Sequence, residues 1–161
     1  MSLARRAAPE DAAEVLRLRQ VMIDSLDRPG FTGQTGWQAE SLPLLRERLA
    51  GGDGDGGDFA AFVVESPDRP GALAALAAGT VDYRVGTPLD PRGRVGYVFS
   101  VATDPDARRR GYARACMDEL LGWFRERGAG HVLLTTSPDA RPLYESLGFT
   151  RDPDPSMRLV L

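Results

Sequence analysis

Residues 101–114 read Val101-Ala102-Thr103-Asp104-Pro105-Asp106-Ala107-Arg108-Arg109-Arg110-Gly111-Tyr112-Ala113-Arg114. The stretch before them, Arg94 to Thr103, is apolar enough for a central strand, and Asp104-Pro105 breaks it. After them, Ala113, Met117, Leu120, Leu121 and Phe124 recur on one face of a helix predicted over 109–127, with Gly128 at its C-terminal cap. A buried strand that stops, turns and becomes a long amphipathic helix is an anion site by construction. The first helical turn has unpaired N–H groups and the positive end of the helix dipole. Gly111 and Ala113 remove side-chain bulk, so a phosphate can reach the backbone. Arg108, Arg109 and Arg110 add fork-shaped donors at the rim. An arginine run ahead of a helix is by itself most often a solvated surface; the surrounding pattern makes this one a pyrophosphate cradle. It lacks the Lys-Ser/Thr of an NTPase loop and the full glycine triplet of a dinucleotide binder.

Towards the C-terminus the pattern gives a strand over His131–Thr136, a short helix over Pro138–Ser146 ended by Gly148, and a closing strand over Met157–Leu161. Towards the N-terminus, Ser66–Gly71 is a turn between strands at Phe59–Glu65 and Ala72–Val85, a hairpin. Leu3–Ala7 is short enough for an edge strand. Pro9-Glu10-Asp11 opens a helix, with Val15, Leu18 and Met22 at helical spacing, and Pro29-Gly30 ends it. Residues 31–50 hold a loop and a second helix marked by Leu42, Leu45 and Leu49, its start blurred by Pro43. Gly51–Asp58 reads as a solvated connector; its acidic spacing is wrong for a calcium loop, and the closing glutamate is absent. The expectation is one mixed α/β domain over residues 1–161.

Composition narrows the function. The chain has 161 residues, a net charge of −3, one cysteine and one histidine. Cys116 and His131 can form neither an internal disulfide nor a Cys/His metal cluster, so no metal is expected. All basic residues are arginine, and asparagine is absent, which reads as genomic bias. The acidic balance argues against nucleic acid as a partner. No apolar run suits a membrane helix, and Met1–Arg6 lacks the apolar stretch of a signal peptide. A reduced, cytoplasmic location is expected. Cys116, on the long helix, reads as a small buried hydrophobe.

Two signatures then stand together. Arg108-x-x-Gly111-x-Ala113 resembles the Arg/Gln-x-x-Gly-x-Gly/Ala motif of GCN5-related N-acetyltransferases (the GNAT family). About twenty-five residues on, Ser137, Ala140, Tyr144 and Leu147-Gly148-Phe149 resemble that family's second motif, Asn-x-x-Ala-x-x-x-Tyr with Leu-Gly-Phe. The resemblance implies a GNAT-like mixed sheet with antiparallel N-terminal strands and a splayed parallel central pair, flanked by helices. It implies acetyl-coenzyme A as co-substrate, its pantetheine arm along Val101, Ala102 and Thr103 and its pyrophosphate on backbone N–H groups of Arg109, Arg110, Gly111, Tyr112, Ala113 and Arg114. The Val101 N–H would face the acetyl carbonyl as an oxyanion donor, and Tyr144 would assist the leaving thiolate. Ser137 replaces the usual Asn, which weakens one pantetheine contact or routes it through water.

Tyr97 stands near where some relatives carry a glutamate base. A tyrosine of ordinary pKa is a poor base at pH 7, so a water chain ending near Ser100, Asp82, or a carboxylate of the first two helices are the other candidates. The acceptor would be framed by residues 22–40, with Met22, Phe31 and Trp37 as an apolar wall and Asp24, Asp27 or Glu40 facing a cation. The expected reaction is direct transfer of acetyl to a primary amine, on a small molecule or a protein, in a ternary complex. The alternative is a non-catalytic coenzyme-binding module of the same fold. As in many relatives, a homodimer is allowed.

Overall fold

Small apolar residues at the sheet's centre decide the architecture. A computed structural model describes residues 2–51 and 57–161. Residues 52–56 of the glycine- and aspartate-rich connector lie outside the described residues. Strand β1 (Arg5–Arg6) pairs antiparallel with β2 (Phe59–Glu65), which pairs antiparallel with β3 (Leu73–Tyr83). Strand β4 (Arg94–Thr103) continues the antiparallel run, and β5 (His131–Leu134) joins it in parallel. The order is β1-β2-β3-β4-β5. The two strands expected over 59–65 and 94–103 form at those bounds.

Helices cover both faces. Helix α1 (Ala12–Ser25) follows a single 3-10 turn at Pro9–Asp11, where the Asp11 carboxylate accepts the Ala8 N–H at 2.7 Å. It shares one face of the sheet with α2 (Trp37–Ala50), burying Val15, Leu16, Leu18, Leu45 and Leu49. Helix α3 (Tyr112–Glu126) lies on the other face with Met117, Leu120 and Phe124 buried. Burial of each such side chain stabilises the fold by about 1.5–3 kcal/mol. The Phe124 ring presses on two strand glycines: a Cβ at Gly96 would meet it at 2.9 Å, and one at Gly79 at 2.6 Å. Helix α3 can sit this close only because those positions carry no side chain. Helix α4 (Arg141–Ser146) is short and follows β5.

Two details of β4 set up the site. Its pairing with β5 ends at Val98↔Leu134, yet β4 runs on to Thr103, so the last five residues of β4 diverge from β5. Against β3, Leu76 faces Ala102 and Ala78 faces Phe99, leaving Ala77 opposite both Ser100 and Val101. That is a β-bulge, and Ser100 takes φ 56 there.

Three expectations change. Pro43 sits inside α2, not at its start; Pro43 and Ala39, the residue whose carbonyl loses its donor, are both exposed, so water can satisfy it. Helix α1 stops at Ser25, ahead of Pro29, where Asp27 turns the chain with φ 45. The strand expected over Met157–Leu161 does not form. Residues 157–161 have no regular structure, and Met157 and Leu161 are fully exposed. The alternation of apolar residues suits a strand, but a strand exists only against a partner, and the tail pairs with none.

Candidate active site

The loop leaving β4 is held from two sides by charge. Asp104, 5% exposed, accepts from both Nη atoms of Arg17 on α1, Nη2 at 3.0 Å, and from Arg69 in the β2–β3 turn. Arg17 also binds Glu14 through Nε at 2.7 Å and the Leu73 carbonyl at 3.0 Å, and Glu14 accepts the Leu73 N–H at 2.9 Å. Burial alone would raise the Asp104 carboxyl; the Arg17 and Arg69 guanidiniums outweigh it and hold Asp104 below the usual carboxylate range. The network fixes where β4 ends and the cradle begins. Sequence reasoning missed it, because Asp104 read only as a strand breaker and its partners are 87 and 35 positions away.

Beyond Asp104, a 3-10 turn (Pro105–Ala107) leads to Arg108 in extended backbone, Arg109 at φ 65 and Gly111 at φ 79. Left-handed residues flank Arg110, the kind of tight turn in which successive N–H groups can form an anion-binding nest. Helix α3 begins at Tyr112, and its first 5→1 bond runs from Ala115 N–H to the Gly111 carbonyl at 3.0 Å. The N–H groups of Tyr112, Ala113 and Arg114 therefore have no acceptor within the helix. A Cβ on Gly111 would meet nothing within 4 Å, so the space over the nest is open. Arg108, Arg109 and Arg110 are exposed around it. Arg110 lies 3.7 Å from Asp68, an exposed pair of little energetic weight.

Helix α4 follows the end of β5, and its Tyr144 belongs to the core cluster against which Val101 of β4 packs. Arg114 donates to Ser146 Oγ at 2.8 Å, tying α3 to α4. Ser137 Oγ accepts the Ala140 N–H at 3.4 Å, so its hydroxyl supports the start of α4. Tyr144 is buried, 5.9 Å edge-on from Phe149, and its hydroxyl makes no hydrogen bond among the described residues. Burial pushes its pKa up to about 12, so the phenol keeps its proton at any physiological pH. Val101 and Ala140 pack against the same core cluster as Tyr144. Cys116 is fully buried and its thiol is pushed up to about 12 by burial, which removes it as a nucleophile.

The opposite face holds the other candidates. Tyr97 stacks on Phe99 at 6.5 Å, and Phe99 meets Phe59 at 6.0 Å. Met22 and Trp37 pack against the cluster on this face, whereas Phe31 is half exposed on the 26–36 loop and joins no core cluster. Trp37 Nε1 donates to Gln20 at 2.7 Å, Gln20 donates to Asp24 at 2.7 Å, and Asp24 accepts the Gly33 N–H at 2.8 Å. Asp24 thus braces the loop. Asp82 pairs opposite Val95, about 20 Å along β4 from Val101 at about 3.3 Å per residue, and leans on Arg84 at 3.5 Å. It is out of reach of the bulge. His131, at the start of β5, faces Asp90 at 3.4 Å, also far from the cradle. Among the described residues no group of three or more His, Cys, Asp or Glu could hold a metal ion, and no helix is long and apolar enough to cross a membrane.

Comparison with known proteins agrees with this geometry. Residues 21–149 match the acetyltransferase (GNAT) family. The chain is 29% identical to glucosamine 6-phosphate N-acetyltransferase 1 of Oryza sativa over 91% of its own length and 88% of that enzyme. It is 34% identical to mycothiol acetyltransferase of Rhodococcus erythropolis over 89% of its length, spanning 44% of that protein. The fold matches a GCN5-related N-acetyltransferase from Ralstonia eutropha with TM-score 0.77 at 25% identity, covering 97% of both chains. It also matches an acetyltransferase from Clostridium acetobutylicum crystallised with acetyl-CoA, with TM-score 0.78 at 24% identity over 99% of this chain and 96% of that one. With a bulged strand that parts from its neighbour beside an open nest, and a match over most of its length, this chain belongs to the GNAT acetyltransferase family and is an N-acetyltransferase that uses acetyl-coenzyme A.

Proposed function

We propose that the gap between the end of β4 and α4 takes the acetyl-thioester arm, that the nest at 109–114 takes the pyrophosphate, and that a primary amine attacks from the α1/α2 side. The observation that carries this is the β4 bulge: where β4 leaves β5, Ala77 faces two residues, which turns the backbone at Ser100–Val101 out of plain ladder geometry. The Val101 N–H is then the donor for negative charge developing on the acetyl oxygen. Thr103 and Ala102 carry the arm towards the loop, and Arg108 to Arg110 supply charge at the rim. The residues fit the ligand, since Gly111 leaves open space over N–H groups that lack helical acceptors.

Tyr144 is the proton donor. A phenol with its pKa raised to about 12 by burial is fully protonated, and a departing thiolate is the base it would meet. The amine must first lose a proton, and two of the carboxylate candidates are engaged elsewhere, Asp82 out of reach along β4 and Asp24 bracing the 26–36 loop. Tyr97 and Ser100 line the way out on the acceptor side, so water relayed past them is the base we assign. The acceptor is a small molecule or protein bearing a primary amine. The relatives named for glucosamine 6-phosphate and mycothiol, and a third from Escherichia coli named for the alanine of ribosomal protein bS18, 38% identical over 32% of this chain, span both kinds.

Calorimetric titration with acetyl-coenzyme A tests the coenzyme site. Wild type should bind, and Gly111→Glu, which puts bulk and negative charge over the nest, should weaken binding by about a hundred-fold or more. A folded Gly111→Glu protein that binds normally would remove the nest from the site.

A further inference from the structure

The buried stripe of α1 contains a residue that does not belong in a core. Positions 12, 15, 16, 19, 22 and 23 fall on one side of the helix. Ala12, Val15 and Leu16 are buried there, and Met22 packs on the same cluster. Position 19 is arginine. It is half buried, and its one hydrogen-bonding contact among the described residues is Met22 Sδ, 3.7 Å from Nη1. Among the described residues no carboxylate pairs with it.

The contrast with its neighbours is chemical. Arg17 is held by Glu14 and Asp104, and Arg5 by Asp11 and Glu65, and in both the partners outweigh desolvation and raise the pKa. Burial lowers the Arg19 guanidinium, with no partner among the described residues to offset it. A guanidinium has five donors and no means of losing its charge near neutral pH. Held away from water without a partner it is costly, and a bound anion would offset that cost.

Its place on α1 says which anion. Helix α1 lies on β4. Arg17 reaches Asp104 just past the end of that strand, and Met22 packs on the cluster that includes Ala102 and Phe99. Arg19 falls between these levels, on the face opposite α3 and its nest. The coenzyme's phosphates have their own cradle on the other face, and the two carboxylates closest in sequence are already engaged, Asp24 by Gln20 and the Gly33 N–H and Glu14 by Arg17 and the Leu73 N–H.

We infer that Arg19 is the anion-binding residue of the acceptor site, and that the acceptor is an amine carrying a phosphate or carboxylate group and not a polycation or a neutral amine. This rests on the reading of the α1/α2 face as the acceptor side. A planar guanidinium pairs with either anion through two parallel hydrogen bonds.

The test uses the full chain saturated with coenzyme A, so that the nest is filled. Two matched pairs are titrated by calorimetry: glucosamine 6-phosphate against glucosamine, and glycine against glycinamide. The anionic member of at least one pair should bind about ten-fold to a hundred-fold tighter, as expected for hydrogen bonds to a charged group. The pair that shows the preference identifies phosphate or carboxylate. Arg19→Met, which keeps the apolar stem, should abolish the preference and leave the neutral member unchanged; Arg19→Lys should retain part of it. Neutral amines binding as well as anionic ones, or a preference that survives Arg19→Met, overturns the inference. Failure of coenzyme A to bind would overturn the coenzyme reading instead. The anion site is then judged without coenzyme, from the Arg19 Nε–H resonance in Gly111→Glu protein titrated with inorganic phosphate. A saturable shift, assigned by its loss in Arg19→Met, sustains the site, and no shift ends it.

Discussion

The loop that leaves β4 and the loop that follows α1 are both short connections, but they are built differently. Residues 104–111 are pinned by a buried carboxylate between two arginines, with Glu14 and the Leu73 backbone behind them. Residues 26–36 hang on one polar chain, Trp37 to Gln20 to Asp24 to Gly33, and otherwise turn through glycines at positive φ, with Phe31 exposed. The first is over-determined, as a segment must be when its backbone N–H groups are the ligands and cannot adjust one at a time. The second can change residue by residue without disturbing the sheet. A domain with one common co-substrate and a changeable acceptor divides its stability in this way: charge pairs go where the ligand is constant.

The sharpest way to break this comparison is chemical. Tyr144→Phe should lower kcat by about a hundred-fold, in the range of a lost general acid, while the Kd for acetyl-coenzyme A stays close to wild type. A variant with unchanged kcat would make Tyr144 a packing residue against Phe149 and leave the leaving group to solvent.

Next in size is the clamp. Asp104→Asn leaves Arg17 and Arg69 facing a neutral amide. Breaking a buried pair costs about 3–5 kcal/mol, and because both arginines are partly solvated we expect about 2 kcal/mol in urea unfolding. The affinity for acetyl-coenzyme A should fall, with the acceptor KM unchanged. The same clamp has a pH signature. Asp104 and Glu14 both titrate below their ordinary values in the folded chain, so their stabilisation is complete above the unfolded carboxylate range and is lost as pH falls through the folded values. Thermal unfolding scanned below pH 4 should show a steeper loss for wild type than for Asp104→Asn. Parallel curves would mean that the two arginines do not set the acid limb.

The smallest effect belongs to the looser loop. Trp37→Phe removes the hydrogen bond to Gln20 and should cost about 1 kcal/mol of stability. Acceptor KM should move more than coenzyme Kd. Equal changes in both would show that the two loops are mechanically one unit.

Much of this was legible in the chain itself. The strands at Phe59–Glu65 and Arg94–Thr103 follow from apolar runs between turn residues, the apolar face of α3 and the two helices before β2 from helical spacing, and the cradle from Gly111 among arginines. What escaped is non-local. Asp104 looks like a strand breaker until Arg17 and Arg69 are beside it. The bulge at Ser100–Val101 exists only relative to Ala77 across the ladder, and the divergence of β4 from β5 only relative to Leu134. Met157–Leu161 has the alternation of a strand and lacks a neighbour. Arg19 did leave a trace, a charged residue within an apolar stripe, but a stripe with one exception reads as an ordinary amphipathic helix until burial is known.

The extra residue in β4 also resets which way the strand faces. Tyr97 and Phe99 point to the α1/α2 side, as does Ala102, three positions on; Val98 and Val101 both belong to the α3 side. Odd and even exchange roles at Ser100. The site is thus written in the strand as a one-residue insertion, so grafting this motif onto another sheet means copying a frame and not a list of side chains. Trimming Ser100 would restore a regular ladder with Val101 and Ala102 still on their present sides but without the bulge, whereas flattening the bulge with Ser100 kept would move both to the opposite sides.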